Sequence, residues 1–460
     1  MTYKQYGEGA PCGRLFNGRL MRTPLQEAHW YDKECSPAAG EHYHVTMPDS
    51  SISWGINMNK IVGSTLIGAG TAIGAAMLAF PLVTAGPGFI PSALIFIGVW
   101  ALMFISSLLT LEVNLAFKAP QNSYPTMAEA TLGKFGRFVT YLSFVSLLYM
   151  LISAYITGGG SLFQTLCIFL FQKAPPEWMN EFIFTGVLGL IVTLGTRAVD
   201  LFNRSLFTVM LILIGLVFTF FLPQVDFTNL VTHIEPQYGL AAIPVIVTAF
   251  GFHIVIPSIA PYLDYNIDSI KKVLLYSSLL PLIIYILWIM SLLGTLPYEG
   301  EMSFRTLAQG DGSLSSFMLA INHWRPAAWL NGVINTFANF AMITSFLGVS
   351  LGLFDCLQDK KDKVPHRART ALLTFVPPLL VVTFYPEGFV TLLSVASIFV
   401  AIILMILPAM MAYRRRQLPN LPSPYVVFGG NVTIVLTILM GFAFIAVEVL
   451  RQCDKLPIWS

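Results

Sequence analysis

Charge is what this sequence has least of. Asp, Glu, Lys and Arg together make up 11% of its 460 residues, where a soluble globular domain carries about 25%. A chain surrounded by water on every side is therefore excluded. The balance of signs is nearly even, with a net charge of +2, which leaves no basic field for a nucleic-acid partner. Cysteine is sparse too. Cys12, Cys35, Cys167, Cys356 and Cys453 are odd in number and scattered, so they form neither a disulfide framework nor a metal-ligand spacing. His42 and His44 stand near Cys35, but the spacing fits no zinc pattern. No metal and no cofactor is expected. What fills the chain instead is apolar, at 55% hydrophobic residues and a mean hydropathy of +0.71. That is the composition of an integral membrane protein.

Residues 1–57 stand apart, being polar and rich in Gly and Pro, with no apolar run that could serve as a signal-peptide core. They are expected to form a disordered tail that the working chain does not need. From Asn59 onward, apolar runs of membrane-spanning length alternate with short polar loops. Eleven such runs are expected, near 59–83, 90–117, 138–170, 181–196, 205–222, 238–262, 273–294, 329–355, 370–385, 389–412 and 425–450. Lysine and arginine orient them. With the N-terminus in the cytoplasm, six lie in the tail through Lys60, fifteen in the cytoplasmic loops and only five outside. An odd number of spans then leaves the C-terminus outside.

The first span carries glycines at 63, 68, 70 and 74 within GSTLIGAGTAIGAAMLAFP, and each weakens a helix interior by roughly 1 kcal/mol relative to alanine. Its Thr71-Ala72-Ile73-Gly74 is echoed by Thr248-Ala249-Phe250-Gly251 in the sixth span, which also holds Pro244, Pro257 and Pro261. Five spans separate the two segments, so they run in opposite directions. Interrupted helices at matching places in oppositely oriented halves point to an inverted-repeat transporter. The expected fold is all-α, with five-helix repeats over 58–222 and 238–412 and an eleventh helix at 425–450.

An interruption near the midplane frees backbone groups that lipid cannot satisfy, so they must face a protein cavity. The N-terminal end of a half-helix attracts a carboxylate, and freed carbonyls accept from an ammonium. Such a site recognises what every amino acid has in common. Gly70 and Gly251 are expected to supply backbone contacts to those two groups. Gly70-x-x-x-Gly74 is also a helix-packing pattern, and the two readings predict different fates for the same glycines.

Ionisable residues are nearly absent inside the spans. Glu112 and Asp355 lie near cytoplasmic ends and Glu448 near an outer end, while His253 alone sits close to a span's centre, two residues past Gly251. Intramembrane ionisable groups are expensive and usually functional, and histidine titrates near neutral pH. His253 is expected to carry a coupling proton or to touch the substrate. Thr344 and Ser345 offer a second route, since adjacent hydroxyls beside unwound carbonyls bind sodium. Tyr149, Tyr155, Phe250 and Phe252 are candidates to line an apolar pocket. A membrane enzyme would need several acidic or histidine groups converging at one depth, and a channel a filter or charged ring. Neither pattern is present in the sequence.

The segments GAGTAIGAAMLAFPLVTAGPGF, AYITGGG, VDLFNR, IPVIVTAFGFHIVIPSI, TSFLGVSLGLFD and FYPEGFV together resemble the hydroxy and aromatic amino-acid permease family, and its tyrosine-specific branch most. The resemblance covers roughly residues 59–450. It implies proton-coupled uptake across a bacterial inner membrane on the leucine-transporter fold. It also implies substrate contacts at Gly68, Ala69, Gly70, Thr71 and Gly74, and at Thr248, Phe250, Gly251, Phe252 and His253. Tyrosine is the expected substrate, with tryptophan, phenylalanine or a hydroxy amino acid as alternatives, and sodium as the alternative coupling ion. No obligate protein partner is expected.

Overall fold

The computed structural model describes residues 50–117, 123–171, 173, 175–309, 313–324, 328–358, 367–386, 388–457 and 459. Its contacts divide the chain into two units, Met1–Ile52 and Ser53–Ser460. The expected tail lies almost wholly outside the described residues. Its last part is helical, because α1 spans Ser50–Ala72 and so begins ahead of the expected first span.

Helices carry the whole described fold. After α1 come α2 (Phe80–Thr84), α3 (Phe89–Asn114), α4 (Tyr124–Phe171), α5 (Glu177–Leu194) and α6 (Thr196–Phe221). A short α7 (Phe227–Thr232) leads to α8 (Gly239–Ala249), α9 (Ile256–Tyr262) and α10 (Ile267–Leu293). Two more short helices, α11 (Phe304–Gln309) and α12 (Leu314–Trp324), precede α13 (Ala328–Leu357) and α14 (Arg367–Phe384). The series closes with α15 (Phe389–Ala401), α16 (Leu407–Gln417) and α17 (Gly430–Gln452). Among the described residues nine helical stretches are long and apolar enough to cross a bilayer, and a tenth forms if the bent pair Lys60–Ala72 and Ala75–Thr84 counts as one. The remaining expected pass corresponds to the shorter apolar helix Met179–Leu194.

Local chemistry explains where these helices start and turn. Asp226 and Asn266 cap α7 and α10, accepting from the backbone N–H of Thr228 and Ser269 at 2.8 and 2.9 Å. The long α4 is two helices merged across Gly133, whose φ of 76° is a left-handed value that glycine takes without a Cβ penalty. The third expected pass therefore begins after that kink, following a short helical lead-in. Around α4 the helices α5, α13, α14 and α15 pack. The three glycines of AYITGGG let them approach: a Cβ on Gly158 would press on Met342 and Phe389, one on Gly159 on Phe184, and one on Gly160 on Glu181.

Buried charge sits at helix ends and is paired. Glu112, at the end of α3, accepts from Arg416 Nε and Nη2, each at 2.7 Å, from the Val427 backbone N–H at 2.7 Å, and from Arg415. Glu448 accepts from Arg451 Nε at 3.0 Å and from Gln452 at 2.7 Å, and the same arginine reaches Ser394 on α15. These clusters fasten α16 to α3 and α17 to α15. They satisfy their charges locally and leave the centre of the bundle for other chemistry.

Candidate functional site at two helix breaks

Both expected interruptions are present. The first falls at Ile73-Gly74. α1 ends at Ala72, Gly74 is extended at φ −166° and ψ −156°, and a 3-10 turn over Ala75–Ala79 carries the chain on into α2 at a bend of 45°. The second falls at Phe250-Gly251, where α8 ends and a 3-10 turn over Phe252–Val255 leads into α9. A helix end leaves carbonyls without intrahelical donors. Among the described residues, the backbone hydrogen bonds outside the helices include none to the carbonyls of Ala72 or Ala249.

One side chain answers both. The Tyr285 hydroxyl, on α10, lies 2.6 Å from Ala72 O and 3.3 Å from Ala249 O. Its ring is fully buried in a four-ring cluster with Phe80, Phe96 and Phe250. The C-terminal, partially negative ends of two half-helices thus converge on one hydroxyl. On the other side of the first break, the Ala75 N–H donates to Ser345 Oγ at 2.9 Å. Tyr155, buried on α4, has its hydroxyl toward the same serine.

His253 is fully buried in the second break. Its Nε2 lies 3.1 Å from Leu404 O. A carbonyl only accepts, so Nε2 carries the hydrogen, and Nδ1 is the lone-pair nitrogen. Nδ1 has no partner among the described residues. The availability of Leu404 O has a local cause. It sits in a π-helical turn, Ile402–Ile406, and Pro408, four residues on, has no N–H to return to it. Ser106 on α3 donates to the same carbonyl. Pro257 stands in the same relation to His253, whose own carbonyl accepts from the Tyr124 hydroxyl at 3.0 Å. Thr248 donates across to Leu393 O at 2.9 Å, which ties the end of α8 to α15.

Several expected site residues lie elsewhere or face another way. Gly68 and Gly70 remain inside α1. A Cβ on Gly68 would stand 2.7 Å from Ser277 Cβ, and one on Gly70 3.2 Å from the Phe207 ring, so both serve close packing of α1 on α10 and α6. Ala69 is buried in the core, and Thr71 turns its hydroxyl back to Gly68 O at 2.7 Å. Tyr149 donates to Leu373 O on α14 at 2.7 Å, away from the breaks. Thr344 bonds to Phe340 O of its own helix at 2.8 Å, so of the two adjacent hydroxyls only Ser345 reaches the first break. Phe252 is fully buried and meets the His253 ring edge-to-face at 5.0 Å. Tyr285, Leu404, Ser106 and Tyr124 are the site residues that sequence reasoning missed. Pro257 and Pro408 were the available signals for two freed carbonyls; for Tyr285 there was none.

Two discontinuous helices whose ends converge inside an apolar helical bundle are the arrangement of the leucine-transporter fold. Solved structures with that fold agree. The chain aligns with a manganese transporter of Eremococcus coleocola at TM-score 0.56 and 14% identity, covering 90% of this chain and 91% of that one. It aligns with MhsT in complex with L-phenylalanine at TM-score 0.57 and 16% identity, covering 85% and 98%. By sequence the chain belongs to the tryptophan/tyrosine permease family, whose pattern matches residues 57–448. Tyrosine-specific transport system 2 of Haemophilus influenzae is 38% identical over 404 residues, 87% of this chain and 98% of the relative. Tyrosine-specific transport system 1 of the same organism is 37% identical over 87% and 99%, and its tryptophan-specific transport protein 36% over 85% and 96%. The protein is thus an aromatic amino-acid permease, a multi-pass membrane transporter and not an enzyme.

Proposed function

We propose that this permease imports tyrosine across a bacterial inner membrane together with a proton, binding both between the breaks at Gly74 and Gly251. The observation that carries the reading is the convergence of Ala72 O and Ala249 O on a single buried point. Two half-helix C-termini favour a cation there, and the substrate's α-ammonium is that cation. The carboxylate falls to the N–H groups that open the turn after Gly251, since the Ala75 N–H after Gly74 is already given to Ser345 Oγ. Phe250, Phe252 and Tyr155 offer apolar surface for an aromatic side chain.

His253 supports the proton as coupling ion. Its Nε2–H is committed to Leu404 O, and Nδ1 is a buried acceptor without a partner among the described residues, so a proton arriving at Nδ1 needs no ring flip. The sodium alternative has less support, because Thr344 is turned to its own helix and Ser345 accepts the Ala75 N–H. Tyrosine is favoured over tryptophan because the relatives named for it are slightly more identical. The repeats at 58–222 and 238–412, the eleventh helix at 425–450, the cytoplasmic N-terminus and the external C-terminus belong to the same proposal and rest on the paired breaks and the lysine and arginine bias.

The test is uptake of labelled tyrosine into proteoliposomes with pH and sodium gradients imposed separately. Accumulation driven by an inward proton gradient without sodium is expected, with tryptophan the weaker competitor. Accumulation that needs sodium, or a preference for tryptophan, overturns the corresponding part.

A further inference from the structure

The Tyr285 hydroxyl has one hydrogen and two carbonyls to give it to. At 2.6 Å the bond to Ala72 O is short and strong, while at 3.3 Å the contact with Ala249 O is weak. The hydroxyl therefore bonds the end of α1 and leaves the end of α8 under-satisfied. A carbonyl oxygen also has a second lone pair, so both remain able to accept. The ring cannot drift from this point. Phe80 meets it edge-on at a centroid distance of 4.8 Å and Phe250 at 5.5 Å, and all three rings are fully buried. Phe250 directly follows Ala249 and Phe80 lies just beyond the first break, so the same rings that clamp Tyr285 belong to the two broken spans.

We propose that Tyr285 is a positioning residue for substrate recognition: its hydroxyl holds the carbonyl ends of the two broken helices at the separation at which one α-ammonium bridges them. This deepens, and rests on, the reading that amino acids bind at the breaks. Without the hydroxyl, the negative ends of two carbonyl dipoles face each other with no hydrogen between them, and they repel. The ends of α1 and α8 then separate, and an ammonium reaches one carbonyl where it had reached two. The apolar and carboxylate contacts are untouched. Tyr285 thus acts on ammonium recognition alone, which sets it apart from a residue that merely keeps the protein folded.

Tyr285→Phe keeps the ring and its packing and removes only the hydroxyl. In proteoliposomes, competition against labelled tyrosine is measured for unlabelled tyrosine and for 3-(4-hydroxyphenyl)propionate, which lacks the α-ammonium. The wild type is expected to prefer tyrosine strongly. In the variant the tyrosine inhibition constant is expected to rise by about tenfold, the worth of one hydrogen bond to a charged group, and that of the ammonium-free analogue to stay unchanged. A loss of folded protein lowers the amount of transport and leaves this ratio intact, so an unchanged ratio overturns the proposal, as does an equal shift of both constants or tighter tyrosine binding. If the Phe variant does not insert, 2,3,5-trifluorotyrosine placed at 285 offers a hydroxyl of similar size and stronger donation, and the ratio must then move the other way. A wild-type protein that neither binds nor exchanges tyrosine defeats the transport reading itself; one that does, with an unmoved ratio in the variants, defeats only the role of Tyr285.

Discussion

Gly74→Ala is the smallest change that tests whether the first break is built or incidental. Gly74 is extended, a conformation any residue adopts, so the backbone does not object to a side chain. The obstacle is Ser345, because a Cβ on Gly74 would overlap its Oγ. That oxygen accepts the Ala75 N–H at 2.9 Å, and Ala75 is fully buried. Turning the serine away relieves the clash but leaves the N–H unsatisfied, at a cost of about 1–3 kcal/mol. At 1.4 kcal/mol per tenfold, that is roughly 5- to 150-fold in an equilibrium constant. Ser345→Ala removes the same acceptor without any clash and should cost about the same. The double variant should then cost about as much as either single one, because the one hydrogen bond is lost only once. Gly251→Ala is the internal control. Its Cβ would meet Leu404 Cδ1 at 3.7 Å and Thr248 O at 3.9 Å, which are ordinary contacts, so stability should stay within about 0.5 kcal/mol. Thermal unfolding in detergent reads the stability of all four variants, and binding of labelled tyrosine reads the site. Fully additive costs at 74 and 345, or a larger loss of stability at 251 than at 74, would refute the account of this break.

The breaks were legible because glycine and proline act through their own backbones. Gly74 and Gly251 interrupt helices where the sequence repeats itself, and Pro257, in the second of those spans, leaves the carbonyl four residues upstream without its helical donor. Gly68 and Gly70 show the limit of the same signal. Removing a side chain permits unwinding and close approach alike, and only the neighbours, Ser277 and Phe207, decide for packing. Thr344 and Ser345 differ by one position, or about 100° around the helix, and the sequence does not say which of them faces the break. Tyr285 could not be singled out at all. It is one of 17 tyrosines, and its importance lies in two carbonyls that are remote in the chain and adjacent only after folding. Local chemistry writes where a helix must stop, while the partner that receives the freed group is fixed by packing.

The remaining predictions separate the site from its frame. Tyr149→Phe should leave tyrosine affinity unchanged, since its hydroxyl bonds Leu373 O on α14, whereas Tyr155→Phe, beside Ser345, should weaken it several-fold, as roughly 1 kcal/mol for a neutral hydrogen bond implies; competition binding compares the two. Glu112→Gln strips the counter-charge from Arg415 and Arg416, both largely buried, and should destabilise the protein by about 3–5 kcal/mol, seen in thermal unfolding, with the substrate preference of the surviving protein unchanged. His253 is the sharpest case, because its hydrogen bond and its proposed proton-carrying role can be pulled apart. Gln at this position can still donate to Leu404 O, as His253 Nε2 does now, but it cannot take up a proton. If the ring carries the coupling proton, His253→Gln should keep tyrosine–tyrosine exchange and lose accumulation driven by a pH gradient. His253→Ala, which also abandons Leu404 O to Ser106 alone, should lose more of the exchange. Exchange needs only that a loaded site alternate between faces, while accumulation needs the proton to move with the substrate, so the two assays read different steps on one preparation. Accumulation of tyrosine along a pH gradient by the Gln variant would remove His253 from the coupling step and leave it a hydrogen-bonded spacer between the turns at Phe252–Val255 and Ile402–Ile406.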